Sequence, residues 1–241
     1  MLVTTDPDEF MDVAFALSYM PLPRGRRVAV ATMGGGWGVL VADELARCGL
    51  ELAEVPEELV AELDKLLPPF WSHANPIDLV ATITPGIPEA VVELLAASDA
   101  VDAIVVLGVV GSLSESRRAT AQIERLKAAR AETGVMRAGA GAAGAEAGLT
   151  RPEAEAEEPE VAEPELSERE LAFIQQTAAL MDRYCKPIAN ISIKPLTQSV
   201  FSVGGRFSTF MLPSPLRAVR VLAKMADYSD MLVKRGRPRP C

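Results

Sequence analysis

Arg27-Val28-Ala29-Val30-Ala31-Thr32-Met33-Gly34-Gly35-Gly36-Trp37-Gly38 is the stretch on which the reading of this chain turns. Its first half is apolar and β-branched, as a buried strand requires. It runs into glycines, and Val39 to Cys48 then carries small and aliphatic residues on one helical face. Glycine permits positive φ and leaves backbone N–H groups uncovered by side chains. At a helix N-terminus those donors lack intrahelical acceptors, and the helix dipole favours an anion beside them. Gly34, Gly35, Gly36, Trp37 and Gly38 are therefore candidate phosphate-binding residues. The plainer reading is a tight strand-to-helix turn with no ligand. No Gly-Lys-Ser/Thr follows, which argues against a P-loop, and Val39 stands where GxGxxG needs its last glycine. Trp37 either lids a ligand or covers the core; its position in the first helical turn allows both.

Outward from this stretch, helices and strands alternate. Residues 5–20 read as an amphipathic helix, with Phe10, Val13, Ala14, Leu17 and Met20 at helical spacing, stopped by Pro21-Leu22-Pro23. After the helix 37–48 and its Gly49 stop come a strand at 50–55, a helix at 56–67, an irregular segment through 76 and a short strand at 77–80. A helix at 88–97 precedes the apolar run 101–110, which suits a central strand buried on both faces. Further helices are predicted at 115–132, 167–186 and 214–227, with strands at 187–193 and 206–211. The alternation predicts an α/β fold, a parallel sheet with helices on both faces. Ligands of such sheets sit outside the C-terminal strand ends, where the glycine run falls. Residues 133–166 break the pattern with Ala/Gly-rich and then Glu/Pro/Ala-rich sequence, and read as a disordered insertion within one domain.

The net charge of −9 belongs mostly to that insertion, since 146–170 hold ten acids and two arginines. The remainder is close to neutral and has no basic stripe interleaved with aromatics, so nucleic acid is not an expected partner. No apolar run is long enough to span a membrane, and the acidic first residues lack a secretory pattern, so a cytoplasmic location is expected. Three widely spaced cysteines and one histidine form no metal-ligand cluster.

Asn75-Pro76-Ile77-Asp78-Leu79 is the second feature. Pro76 holds Asn75 out of the helical region, and Asn and Asp side chains bond local backbone. A strand-capping turn accounts for it; the functional reading makes Asn75, Pro76 and Asp78 shape the crevice beside the glycine run. His73, with no carboxylate adjacent in sequence, reads as structural or solvated, and Asp43, Glu44, Glu57 and Glu58 as solvated helix charges. GxSxG and HExxH are both absent.

Pro21 to Val30, the Gly34–Gly38 loop, Gly49-Leu50-Glu51-Leu52-Ala53, Leu67-Pro68-Pro69 and Asn75–Leu79 form an ordered series. With Lys186-Pro187-Ile188 and Pro213-Ser214-Pro215, it resembles the succinyl-CoA synthetase-like flavodoxin domain of the NDP-forming acyl-CoA synthetases, the third domain of their α-type chains. The likeness covers about residues 20–130 and 167–230. It implies a flavodoxin-like sheet at 24–230, preceded by a helix and linker at 1–23 and followed by a basic tail at 231–241. It also implies a component of an enzyme that interconverts acid, CoA and ATP with acyl-CoA, ADP and phosphate. The helix starting near Gly36 would then stabilise the phosphoryl group of a phosphohistidine. No catalytic residue and no cofactor is expected on this chain itself. ATP/ADP and CoA would belong to the complete enzyme, with an ATP-grasp subunit and a CoA-binding, phosphohistidine-bearing domain or subunit as partners. His73 does not align with that phosphohistidine. A non-catalytic ligand-binding or interaction module derived from the family is the alternative. An FMN-binding flavodoxin or a receiver domain fits less well, because glycines stand where those need Ser/Thr or acids.

Overall fold

The computed structural model describes residues 2–4, 6–80, 84–111, 166–192, 196 and 199–238. The predicted helix at 115–132 and, apart from Leu166, the insertion at 133–166 lie outside them. Helix α1 (Pro7–Tyr19) starts where Asp6 accepts a hydrogen bond from the Glu9 N–H at 2.8 Å. Strand β1 (Arg27–Thr32) leads into α2 (Gly35–Arg47), followed by β2 (Glu51–Leu52), α3 (Glu57–Leu63), β3 (Ile77–Asp78), α4 (Ile87–Ala97) and β4 (Ala103–Leu107). After the undescribed segment come α5 (Glu168–Tyr184), β5 (Ile188–Ile191), β6 (Val200–Ser202), β7 (Ser208–Leu212) and α6 (Pro215–Lys234).

The strands form a seven-stranded sheet in the order β2-β1-β4-β5-β7-β6, with β3 also pairing β1. All pairings are parallel except β6 against β7. Helices α1, α2 and α6 pack together on one face, and α3, α4 and α5 on the other. β1 and β4 are buried through their lengths, apart from Arg27, because helices cover both faces. The chain is thus an α/β fold with a mostly parallel sheet, as its alternation predicts.

Several local expectations change. β4 stops at Leu107, and a helical turn begins at Val109, because Gly108 takes φ 76° and redirects the chain. β2 has only two paired residues. β6 is an antiparallel edge strand that the pattern of 187–211 does not reveal. On α1, Phe10 is exposed and Asp12 is buried instead, since Arg217 Nε of α6 donates to Asp12 Oδ2 at 2.6 Å. Helix α6 continues through Lys234, past the predicted stop near 227, because Ser229 and Leu232 keep burying its apolar face. Residues 231–234 are therefore helix and not tail.

Candidate anion cradle at the start of α2

At the end of β1 the Thr32 side chain ties down the loop. Its Oγ1 donates to the Gly34 carbonyl at 2.8 Å and lies 3.1 Å from the Gly34 N–H, which donates to it. Gly34 is extended (φ −158°) and occupies the N-cap of α2 without a side-chain hydrogen bond. None of Gly34, Gly35, Gly36 or Gly38 has a positive φ, so the backbone freedom inferred from the sequence is not what these glycines supply. Close approach is. A Cβ on Gly35 would lie 3.1 Å from Asp78 Oδ2, and one on Gly38 would lie 3.0 Å from Pro76 Cβ. At Gly36 a Cβ would meet nothing within 4 Å. The Gly34 N–H is taken by Thr32 Oγ1 and the Trp37 N–H by the Gly34 carbonyl at 3.2 Å, so the exposed backbone of the first turn is that of Gly35 and Gly36, with no acidic residue in it.

The turn carrying Asn75, Pro76 and Asp78 lies against this loop through those two contacts. Pro76 backs Gly38, and Asp78 reaches Gly35 while its Oδ1 accepts from the Val80 N–H at 2.8 Å. Asn75 does a different job. β1 pairs with β2 at Arg27 and Val28 and with β3 at Ala31 and Thr32. Between them, Asn75 Oδ1 accepts from the Val30 N–H at 2.9 Å, and Nδ2 donates to Val28 O at 2.8 Å and Ala53 O at 3.0 Å. One amide side chain thus fills the gap left where two short strands fail to meet. Buried backbone polar groups need such partners, so Asn75 supports the sheet and does not face the cradle's opening.

Trp37 is half exposed (50%), which removes it from the core and leaves it at the rim of the α2 start. His73 does have a carboxylate partner that sequence proximity hid. Its Nε2 lies 3.1 Å from Asp64 Oδ1, its ring packs 4.7 Å from Trp71, and Trp71 Nε1 donates to the same oxygen at 2.7 Å. Glu44 is buried, and Arg220 Nε donates to its Oε1 at 2.8 Å, so it is an interhelical tie between α2 and α6 and not a solvated charge. Asp43, Glu57 and Glu58 are exposed as predicted.

The neighbouring strand end was not legible. Met33 N–H donates to Leu107 O at 3.0 Å, so the β1 and β4 ends lie side by side, and their chains leave towards α2 and the Val109 turn. Between β1 and β4 the strand order reverses direction, the point at which open α/β sheets form a ligand crevice. Buried Glu170 ties the turn after β4 to the start of α5. Its Oε1 accepts from the Gly111 N–H at 2.7 Å, and its Oε2 accepts from Ser167 N–H and Oγ at 2.8 and 2.7 Å. The capping-box pattern Ser167-x-x-Glu170 is the sequence signal for this brace. Among the described residues no group of three or more His, Cys, Asp or Glu is arranged to hold a metal.

The model of the Ligase-CoA domain matches residues 28–147. Over those residues the chain is similar to the Ligase-CoA domain. The α subunit of acetate–CoA ligase [ADP-forming] II from Pyrococcus furiosus is 44% identical to it over 82 residues, which are 34% of this chain and 18% of that protein. An acetate–CoA ligase [ADP-forming] from Methanocaldococcus jannaschii is 28% identical over 78 residues, 32% of this chain and 11% of that protein. The chain thus matches under a fifth of the length of these curated relatives. The chain also shares its fold with a solved structure, PH0766 from Pyrococcus horikoshii, at TM-score 0.59 and 22% identity, covering 95% of this chain and 41% of that one. A dinucleotide-forming acetyl-coenzyme A synthetase 1 from Ca. Korarchaeum cryptofilum, in its apo form, gives TM-score 0.58 at 19% identity over 97% of this chain and 40% of that one. The resemblance read from the sequence holds. Among the described residues no helix is long and apolar enough to cross a membrane.

Proposed function

We propose that this chain is one component of an ADP- or GDP-forming acyl-CoA synthetase, and that the start of α2 stabilises a phosphoryl group in transit. Its ATP/ADP and CoA sites would be supplied by an ATP-grasp subunit and a CoA-binding, phosphohistidine-bearing domain or subunit. The observation that carries the reading is the uncapped first turn of α2, with Gly34, Gly35, Gly36, Trp37 and Gly38 placed at the strand-order reversal. Backbone N–H groups fixed at a helix start stabilise a developing or passing anion without proton transfer or a covalent step. Pro76 and Asp78 hold the loop from behind, and Asn75 ties the sheet beside them. The unit given this role spans 24–230, with α1 appended and packed on α6.

One observation favours the alternative of a non-catalytic binding or interaction module. Asp78 Oδ2 already stands close to Gly35, and none of the residues placed at the cradle is a lysine or arginine. A resident carboxylate competes with an incoming anion for the same dipole.

The test is purification of the tagged chain from its own cells, followed by assay of the isolated assembly for acyl-CoA formation dependent on acid, CoA and ATP. The synthetase reading expects ATP-grasp and CoA-binding chains in stoichiometric amount together with that activity. An assembly lacking both would overturn it in favour of the interaction module.

A further inference from the structure

The three cysteines of the chain are Cys48, Cys185 and Cys241. Cys185 is disulfide-bonded and Cys48 carries a free thiol, which leaves Cys241 as the partner within the chain. Cys185 is buried at the C-terminal end of α5, where φ 56° and ψ 44° put it in the left-handed region that glycine or asparagine usually takes. A cysteine is disfavoured there by its own backbone, so local preference does not account for it. The end of α6 comes to the same end of the sheet. Ser229 Oγ donates to Pro23 O at 2.8 Å, and Arg26 donates to Asp227 and Asp230, which puts the last turns of α6 beside the start of β1. The starts of β1, β4 and β5 lie side by side, since Asp102 N–H donates to Arg27 O at 2.8 Å and Ile104 N–H to Pro187 O at 2.9 Å. At Gly236 (φ 66°) the chain turns off α6, and Arg237 N–H closes the turn on Leu232 O at 2.9 Å. β1 and β5 stand two strand spacings apart, about 10 Å. The stretch from Gly236 to Cys241 can reach about 17 Å, which is enough to bridge that gap.

We propose that Cys185 and Cys241 form a redox-sensitive clasp, which fastens the segment after α6 across the N-terminal end of the sheet to the end of α5. Closed, the clasp joins the two helical layers covalently, because α6 lies on one face of the sheet and α5 on the other. It also restricts the unfolded chain over everything between the two cysteines, which stabilises the folded state. Inside most cells disulfides serve as redox sensors and not as permanent ties. Because Cys185 is 5% exposed, a thiol reagent reaches the bond through the Cys241 sulfur. One thiolate of a small dithiol attacks that sulfur, the S–S bond breaks, and its electron pair leaves on Cys185. The second thiolate of the dithiol then attacks the mixed disulfide and releases Cys241. The protein takes up two electrons and two protons, and the dithiol is oxidised to its cyclic disulfide. Neither the cradle nor any partner chain takes part.

The experiment uses the full chain, with dithiothreitol and glutathione as the probes. Alkylated in denaturant, the oxidised chain takes label at Cys48 alone, and a non-reducing digest read by mass spectrometry yields Cys185 and Cys241 in one cross-linked pair of peptides. Dithiothreitol opens both to label. In glutathione buffers the cross-linked fraction falls from nearly all to nearly none as the ratio of reduced to oxidised glutathione rises, and the melting temperature drops by several degrees in step with it. Cys241→Ser melts at the temperature of the reduced wild type in every buffer, whereas Cys48→Ser keeps the wild-type response. Labelling of Cys185 in the oxidised chain without reductant overturns the clasp, as does a bond to Cys48 or a covalent dimer. A bond that forms but withstands excess reduced glutathione, or whose opening leaves the melting temperature unchanged, overturns its role as a redox-sensitive device.

Discussion

The two ends of the sheet are built on opposite rules. At the N-terminal end charges and strand starts are paired. Asp102 accepts from Arg27 N–H at 3.0 Å and from its guanidinium at 2.9 Å, and Arg26 donates to Asp227 and Asp230 at 2.6 and 2.9 Å. Buried Lys186 donates to Ser98 O at 2.6 Å at the C-terminus of α4, where a cation suits the dipole. Burial pushes the Lys186 ammonium below its ordinary pKa, against the opposing pull of Asp99. At the C-terminal end α2 begins without a side-chain cap, Gly35 and Gly36 are exposed, and Trp37, Val39 and Leu40 face solvent. One end uses its polar groups to hold the fold; the other carries the exposed helix start to which the proposed function assigns an anion. Helices that start at the C-terminal strand ends place their free N–H groups there, so the division follows from the β-α-β winding itself.

The strongest way to break this contrast is Gly36→Asp. The side chain enters open space, and an acid in the first turn suits the helix, so the fold should hold. It would fill the cradle with a fixed negative charge, and activity of the isolated assembly should fall by about 100-fold or more, on the scale of losing an oxyanion donor. Full activity in that variant would refute the cradle. Asn75→Ala sharpens the other side. It strips partners from Val30 N–H, Val28 O and Ala53 O at once. Urea unfolding should show a loss of roughly 3 kcal/mol, from about 1 kcal/mol per hydrogen bond. A loss under a third of that would show that β2 and β3 close the gap by themselves.

Asp102→Asn tests the paired end. Burial raises the Asp102 carboxyl's pKa, but the Arg27 guanidinium and N–H outweigh it and hold the group below its ordinary value. Its folded pKa is thus depressed, so its stabilisation is present above the unfolded carboxylate pKa and lost as pH falls through the folded one. The variant should lose about 2 kcal/mol near neutral pH. The gap between it and the wild type should shrink in acid, as read from denaturant midpoints across pH. Gly38→Ala should cost about 1–3 kcal/mol by crowding Pro76. Leu40→Ser should change the stability of the free chain by no more than about 0.5 kcal/mol, since it only trims exposed surface. A larger loss would mean that the face belongs to this fold's own core.

The strand-to-helix stretch at 27–47 was legible because its information is local: a β-branched run, a glycine break and a helical period. The same holds for α4 and for the start of α5. What escaped the sequence depends on partners far along the chain. Glu44 looks like any helix surface acid until Arg220 arrives from α6, and Asp12 until Arg217 does. His73 has no adjacent carboxylate, yet Asp64 comes to it when the irregular segment folds back on the end of α3. The β6 strand exists only because β7 offers it an edge.

The sequence by itself determined the α/β class, the position of the glycine run at a strand's C-terminal end and the resemblance to the acyl-CoA synthetase family, because periodicity, turn chemistry and motif order are properties of neighbouring residues. Tertiary structure alone decided why each glycine is a glycine. Gly35 yields to Asp78 and Gly38 to Pro76, while at Gly36 a Cβ would meet none of the described residues within 4 Å. It also decided that Asn75 mends a sheet instead of lining a crevice. Those outcomes rest on distances between segments tens of residues apart, and such distances are set by packing and not by local preference.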